Sequence, residues 1–301
     1  MLKVIGHRSF NVVVTILAAT LLIVAMSGHF VSVDESSVEA ATRTTAEFDF
    51  SSVKKGPSLN LKSAILVNYD NGEVLYSKGA DRVRAIASIS KLVTAMVVID
   101  KCPDLQQTQT ISKSDARRSS RSRLPVGTKM TLLDLLHSSL MCSDNRAARS
   151  LARATAGSID KFAELMNAKA RELGLEHAGF VEPSGLDQRN VATAHEVAKI
   201  IQHAYDYPLI AKISAKKSHT ARLLNTKSKK LQMTNTNRLI WSKYWVLAGK
   251  TGYTQAADYC LTSLVKNKEG ERLTLVVLGV PGDKLRFKEA RRLLDWGFRS
   301  L

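Results

Sequence analysis

Ser88 and Lys91 stand three residues apart in the run SISKLVTAMVVID. On a helix that spacing puts both side chains on one face, with the amine in reach of the hydroxyl. A serine hydroxyl is a weak nucleophile until a base takes its proton, and a lysine serves as that base once burial or a second cation lowers its pKa. Such a pair performs acyl transfer. With Ser88 capping a helix, free backbone N–H groups and the positive end of the helix dipole would meet the negative charge that develops on the attacked carbonyl oxygen. The spacing alone carries little, because Ser51, Ser52 and Ser214 also precede a lysine by three.

Two more short segments add chemistry. Ser143-Asp144-Asn145 follows an apolar helical run, and its hydroxyl and amide could relay a proton and hold a substrate carbonyl or amide; Ser58-Leu59-Asn60 shows how readily S-x-N arises. Lys250-Thr251-Gly252 occurs once, at the end of a predicted strand. There Gly would let a ligand approach the backbone, and Lys and Thr could meet a carboxylate.

Competing chemistries fail on spacing. GKT at Gly249 would need a glycine five residues earlier to be a phosphate-binding loop, and that position is Tyr244. His195-Glu196 would need a second histidine where Lys199 stands to be a zinc-peptidase helix, which leaves it a structural or capping pair. No G-x-S-x-G elbow or triad histidine is present. Cys102, Cys142 and Cys260 form no C-x-x-C element and at most one disulfide, and Cys142 and Cys260 read as buried packing residues. No metal site is predicted.

These residues need elements to place them. SAILVNYD and EVLYSKG flank Asn71-Gly72, a strong hairpin signal. The segment from Ser88 to Pro103 reads as a helix apolar all round, hence buried. TLLDLLHSSLM, RAARSLARAT, SIDKFAELMNAKARELG and TAHEVAKIIQHAYD carry helical spacing, with Gly174 and Pro208 as stops. Strands return in YWVLAGKTGYT, DYCLTSLVKN and RLTLVVLGV, and KLRFKEARRLLDWGFRSL closes as an amphipathic helix. The expectation is an α/β (α+β) fold. Its antiparallel sheet is built from N- and C-terminal strands and flanked by helices, with an all-helical subdomain inserted at about 103–215.

Ahead of the domain, Lys3, His7 and Arg8 precede an apolar run from Phe10 to Met26. This predicts export by a signal peptide or N-terminal anchor over residues 1–40, with cleavage near Ala40 favoured over the Ala25-Met26-Ser27 region. Residues 41–60 read as linker and 61–301 as the catalytic domain. The formal charge of +17 has clusters at Arg117, Arg118, Arg121 and Arg123 and at Lys216, Lys217, Lys227, Lys229 and Lys230. It suits anionic membrane or wall surfaces, or simply a solvated basic face. Nucleic acid is excluded as a partner, since no aromatics interleave the clusters and no recognition motif accompanies them.

In the order Ser88/Lys91, Ser143/Asn145, Lys250/Gly252, the motifs match the set of class A β-lactamases and penicillin-binding proteins. The chain resembles the low-molecular-mass penicillin-binding serine DD-peptidases, D-alanyl-D-alanine endopeptidase type, over roughly residues 58 to 301. NAKARELGLEHAGFVEPSGLDQRNVATAHEVAKII and NTNRLI support the peptidase over the lactamase. The resemblance implies a β-lactamase/DD-peptidase-like fold and a periplasmic enzyme without cofactors, cutting D-Ala-containing peptidoglycan cross-links and inhibited covalently by β-lactam antibiotics. It implies Ser88 as nucleophile, Lys91 as base, and Ser143 with Asn145 relaying the proton and orienting substrate. Lys250 and Thr251 would hold a carboxylate, the backbone N–H groups of Ser88 and Tyr253 would form the oxyanion hole, and Thr254 would line the same strand edge. The alternatives are a D-alanyl-D-alanine carboxypeptidase of the same family or a class A β-lactamase. The ending at Leu301 favours the endopeptidase type. Glu182 is out of step with the lactamase E-x-x-L-N run and reads as part of a turn.

Overall fold

The structure, a computed structural model, describes residues 48–51, 53–117, 122–225 and 230–301. The apolar run Phe10–Met26 with its cleavage points, and the basic residues Arg118, Arg121, Lys227 and Lys229, lie outside the described residues. Among those described, no helix is long and apolar enough to cross a membrane.

The hairpin around Asn71-Gly72 forms as β1 (Ser63–Asn68) and β2 (Val74–Lys78), with Gly72 at φ +77° in the turn. β9 (Trp245–Thr254), β10 (Asp258–Lys266) and β11 (Arg272–Val280) supply the other three strands of a sheet ordered β2-β1-β11-β10-β9. All of its pairings are antiparallel, so the N-terminal strand β1 is closed by the C-terminal β11.

Alternation along each strand sorts the side chains into two cores. Ile65, Val67, Leu264, Val276 and Leu278 join the larger one, against α1 (Lys91–Lys101), α5 (Ala194–Tyr205) and the helices beyond. Ala64, Leu66, Leu261, Val265, Leu275 and Val277 face the closing helix α7 (Asp283–Phe298), which supplies Phe287, Ala290, Leu293 and Leu294.

Helix α1 is buried from Lys91 through Val98, as its largely apolar stretch from Leu92 onward requires, and that burial takes in Lys91 and Thr94 as well. The inserted section carries α2 (Leu132–Met141), α3 (Asn145–Ala156), α4 (Ile159–Glu172) and α5, each N-capped by a Thr, Asp or Ser side chain. Glu196 completes a capping box with Thr193 and accepts from the N–H groups of His177 and Ala178, so the His195-Glu196 pair is structural on its glutamate side. Pro208 does more than stop a helix: it opens the short α6 (Pro208–Ser214), where its missing N–H is no loss.

Three small ladders were not announced by any periodicity. β3 (Arg84–Ala85) pairs with β6 (Val191–Ala192), β4 (Thr108–Thr110) with β5 (Lys129–Thr131), and β7 (Ser218–Arg222) with β8 (Lys230–Thr234). Runs of two to five residues are too short for an alternation to show.

Candidate active site

Ser88 does not cap α1 with its side chain. It lies in a 3-10 turn, Ala87–Ser90, and Lys91 is the first residue of the α-helix that follows. The turn is entered through Ala87 at φ +49°, a left-handed backbone that a residue with a Cβ adopts at a cost of about 1–3 kcal/mol when its surroundings enforce it. The surroundings here are two glycines. A Cβ on Gly185 would stand 2.0 Å from the Ala87 carbonyl oxygen and 2.8 Å from the Ser88 nitrogen; one on Gly252 would stand 3.0 Å from the Ile86 oxygen and 3.1 Å from the Ser88 nitrogen. Gly252 was expected to make room for a ligand. Here it makes room for the Ser88 turn.

Lys91 is fully buried, and its Nζ lies 2.8 Å from Ser88 Oγ, 2.7 Å from Asn145 Oδ1 and 2.5 Å from the Ser184 carbonyl oxygen. Burial lowers its pKa to about 8, against the opposing charges of Glu182 and Asp144. A neutral amine has two hydrogens and one lone pair. The Asn145 and Ser184 oxygens can only accept, so they take both hydrogens and leave the lone pair for the Ser88 hydroxyl.

Ser143 comes from the turn between α2 and α3, and Asn145 is the first residue of α3. Ser143 sits at φ +58° and accepts a hydrogen bond of 2.9 Å from Lys250 Nζ. Asp144 between them is buried and accepts from Ser122 Oγ and from the N–H groups of Arg123, Arg146 and Ala147. It caps α3 and fixes the two residues that flank it.

Lys250, Thr251 and Gly252 occupy the last part of β9. Lys250 is buried and donates to the Thr251 carbonyl at 2.7 Å as well as to Ser143. Its pKa falls well below the ordinary lysine value through burial, helped by the charges of Lys91 and Arg286. A carboxylate arriving beside it would supply the missing counter-charge. The Thr251 hydroxyl shares a hydrogen bond of 2.6 Å with Thr236. Tyr253 is half exposed and stacks on Tyr259 at 4.2 Å. Thr254 accepts from the Ala257 N–H in the β9–β10 turn and lines a cleft of about 620 Å³ with Leu186, Asp187, Gln188 and Arg189.

Glu182 holds a turn, as its sequence setting suggested, whereas the supporting roles of Ser184, Gly185 and Arg286 were missed in the sequence. Glu182 accepts at one oxygen from Ser184 N–H and Oγ and at the other from the N–H groups of Leu186 and Asp187, so it is consumed in its own turn. That turn presents the Ser184 carbonyl to Lys91 and Gly185 to Ala87. Arg286 reaches from α7 to donate to the Gly252 and Cys260 carbonyls at 3.0 Å. A charged residue on the apolar face of a closing helix was the available signal for it. Burial raises the pKa of the Cys142 thiol and pushes that of Cys260 up to about 11, so both are neutral packing groups, and all three cysteines are free.

Comparison with known proteins is consistent with this geometry. A family model described as D-alanyl-D-alanine carboxypeptidase matches residues 51–282. The chain is 36% identical over 265 residues to a D-alanyl-D-alanine endopeptidase of Escherichia coli, covering 86% of this chain and 84% of that one. It is 38% identical over 237 residues to the protein of the same name in Pseudomonas aeruginosa, covering 78% and 76%. The crystal structure of the Streptomyces K15 DD-transpeptidase superposes with a TM-score of 0.75 at 26% identity, over 82% of this chain and 100% of the other.

Proposed function

The chain belongs to the D-alanyl-D-alanine carboxypeptidase family and is a serine DD-peptidase; from that premise we propose that it is an exported DD-endopeptidase that opens D-Ala-containing peptidoglycan cross-links through an acyl-enzyme on Ser88. The observation that carries the roles is the Lys91 amine, buried, 2.8 Å from the Ser88 hydroxyl and saturated on its other two sides.

In this reading Lys91 takes the Ser88 proton as Oγ attacks the scissile carbonyl. The backbone N–H groups of Ser88 and Tyr253 receive the oxyanion. The tetrahedral adduct collapses, the C–N bond breaks, and the amine leaves with a proton returned from Lys91 through Ser143. Water then hydrolyses the ester and releases Ser88. Lys250 and Thr251 hold the substrate carboxylate, Asn145 orients a substrate amide, and Thr254 lines the cleft beyond. A β-lactam would acylate Ser88 by the same steps, and its ring-opened leaving group would stay tethered.

The endopeptidase assignment is supported by the names of the similar Escherichia and Pseudomonas proteins. A carboxypeptidase would use the same residues on an uncross-linked stem. A class A β-lactamase would need a glutamate free to activate water, whereas Glu182 is spent on four donors of its own turn. Residues 1–40 would be the export leader or tether of a periplasmic domain whose basic surface would lie against anionic membrane or wall; the segment expected as a linker over 41–60 already packs on the domain from Phe48, with Asp49 and Lys54 bonded to the backbone of Gly72, Val74 and Leu75.

The deciding experiment incubates the enzyme and Ser88→Ala with fluorescent penicillin, a purified cross-linked peptide dimer and an uncross-linked pentapeptide stem. Persistent Ser88-dependent label with dimer cleavage supports the proposal. Release of D-Ala from the stem alone makes the enzyme a carboxypeptidase, and rapid loss of label with penicillin turnover makes it a lactamase.

A further inference from the structure

Helix α2 carries Asp134 and His137 three residues apart, on one face. His219 is delivered to that face by β7, its ring stacked on His137 with centroids 3.7 Å apart. One ligand atom from each of Asp134, His137 and His219 falls within 4.8 Å of the others. The Ser88 site uses none of them.

The hydrogen bonding prepares both rings. His137 Nδ1 lies 3.0 Å from the Leu133 carbonyl, which can only accept. Nδ1 therefore carries the hydrogen, and in the neutral ring Nε2 keeps its lone pair, the arrangement by which a backbone carbonyl orients a metal-binding histidine. What rests against that Nε2 is a cation, the Lys216 ammonium, at a long 3.4 Å. His219 Nε2 lies 2.8 Å from Asp134 Oδ1, with a proton between them.

We propose that Asp134, His137 and His219 form a binding site for a divalent transition metal of the zinc class. The ion displaces the Lys216 ammonium from His137 and takes the place of the hydrogen between His219 Nε2 and Asp134 Oδ1; the neutral His219 ring then carries its one hydrogen on Nδ1 and binds through the Nε2 lone pair. Two imidazoles and one carboxylate suit zinc, and water fills the fourth position. Zinc bonds of about 2.0–2.2 Å place tetrahedral ligands roughly 3.4 Å apart, so side-chain rotations of about an ångström close the cluster. The ion would pin the β7–β8 hairpin to α2. One of these leads into Thr236, the partner of Thr251, and the other into Ser143.

Calorimetric titration of chelator-treated, dialysed protein with zinc chloride tests this, with magnesium chloride as control. The expected result is one zinc per chain and no magnesium. A first ligand is worth more than the roughly 10–100-fold of an outer-shell partner, so Asp134→Asn and His219→Gln should each weaken zinc by more than about 100-fold. Lys216→Ala, which removes the competing ammonium, should tighten it, and zinc should slow hydrogen exchange in the β7–β8 hairpin. Circular dichroism establishes that each variant is folded. No zinc binding, or binding of equal strength in Asp134→Asn and His219→Gln, overturns the proposal, as does weaker binding in Lys216→Ala.

Discussion

Raising the pH from 6 to 9 should switch the nucleophile on, and the shape of the rise identifies the base. With Lys91 at about 8, its neutral fraction is about 1% at pH 6, about 9% at pH 7 and about 90% at pH 9. The second-order rate constant for acylation by a fluorescent penicillin should therefore climb roughly 90-fold over this span. It should have unit logarithmic slope below pH 7 and flatten above pH 8.5. An ordinary lysine at 10.5 would instead give a rise of about 1,000-fold over the same span, with no plateau. The assay is a quench series of labelled protein resolved on denaturing gels, with penicillin stability checked at each pH. A rate still rising tenfold per unit at pH 9 would mean that burial has not shifted the amine. A flat profile from pH 6 to 9 would remove Lys91 from the role of base.

Stability should carry the same shift with its own sign. The folded pKa lies below the unfolded one, so the folded state binds fewer protons and stability rises with pH between about 8 and 10.5. The gain is about 3 kcal/mol, and it should be seen as the difference in urea unfolding between wild type and Lys91→Met across that window. Gly185→Ala would press a Cβ to 2.0 Å from the Ala87 oxygen at φ +76°. Since a displacement of about 1 Å can cost about 100-fold, penicillin labelling should fall at least that far while circular dichroism stays native. Lys250→Met should slow acylation by a penicillin acid but leave its methyl ester almost unaffected, because only the acid brings a carboxylate to that amine; equal losses for both would refute the assignment. Glu182→Gln should loosen the Ser184 turn and slow acylation without changing the lifetime of the label, and a longer-lived label in that variant would mark Glu182 as a deacylation base.

What could be read in the sequence was what has a period or a turn dipeptide. The hairpin at Asn71-Gly72, the helices α2 to α5 and the strands β9 to β11 follow their apolar spacing closely. The geometry that makes Ser88 accessible to Lys91 did not show, because it depends on residues nearly 100 positions away. Ser184, Gly185 and Asn190 reach the Ala87–Ser88 turn only after the 182–190 segment folds beneath it, and the Asn190 carbonyl accepts from the Ile86 N–H. Local signals place Ser88 at a helix start. They do not show that its turn is entered through a left-handed Ala87, nor that Gly252 serves that turn. The cluster of Asp134, His137 and His219 was invisible for the same reason, since two of its members are helical neighbours and the third arrives from a short strand far along the chain.

The strand order β2-β1-β11-β10-β9 also sets a timetable. β1 is made early, yet its second partner, β11, leaves the ribosome long after it, and the Ser88 turn is held from one side by Gly252 on β9. Contacts so distant along the chain close slowly and late. A partly synthesised chain therefore has its serine and lysine but not the strands that order them.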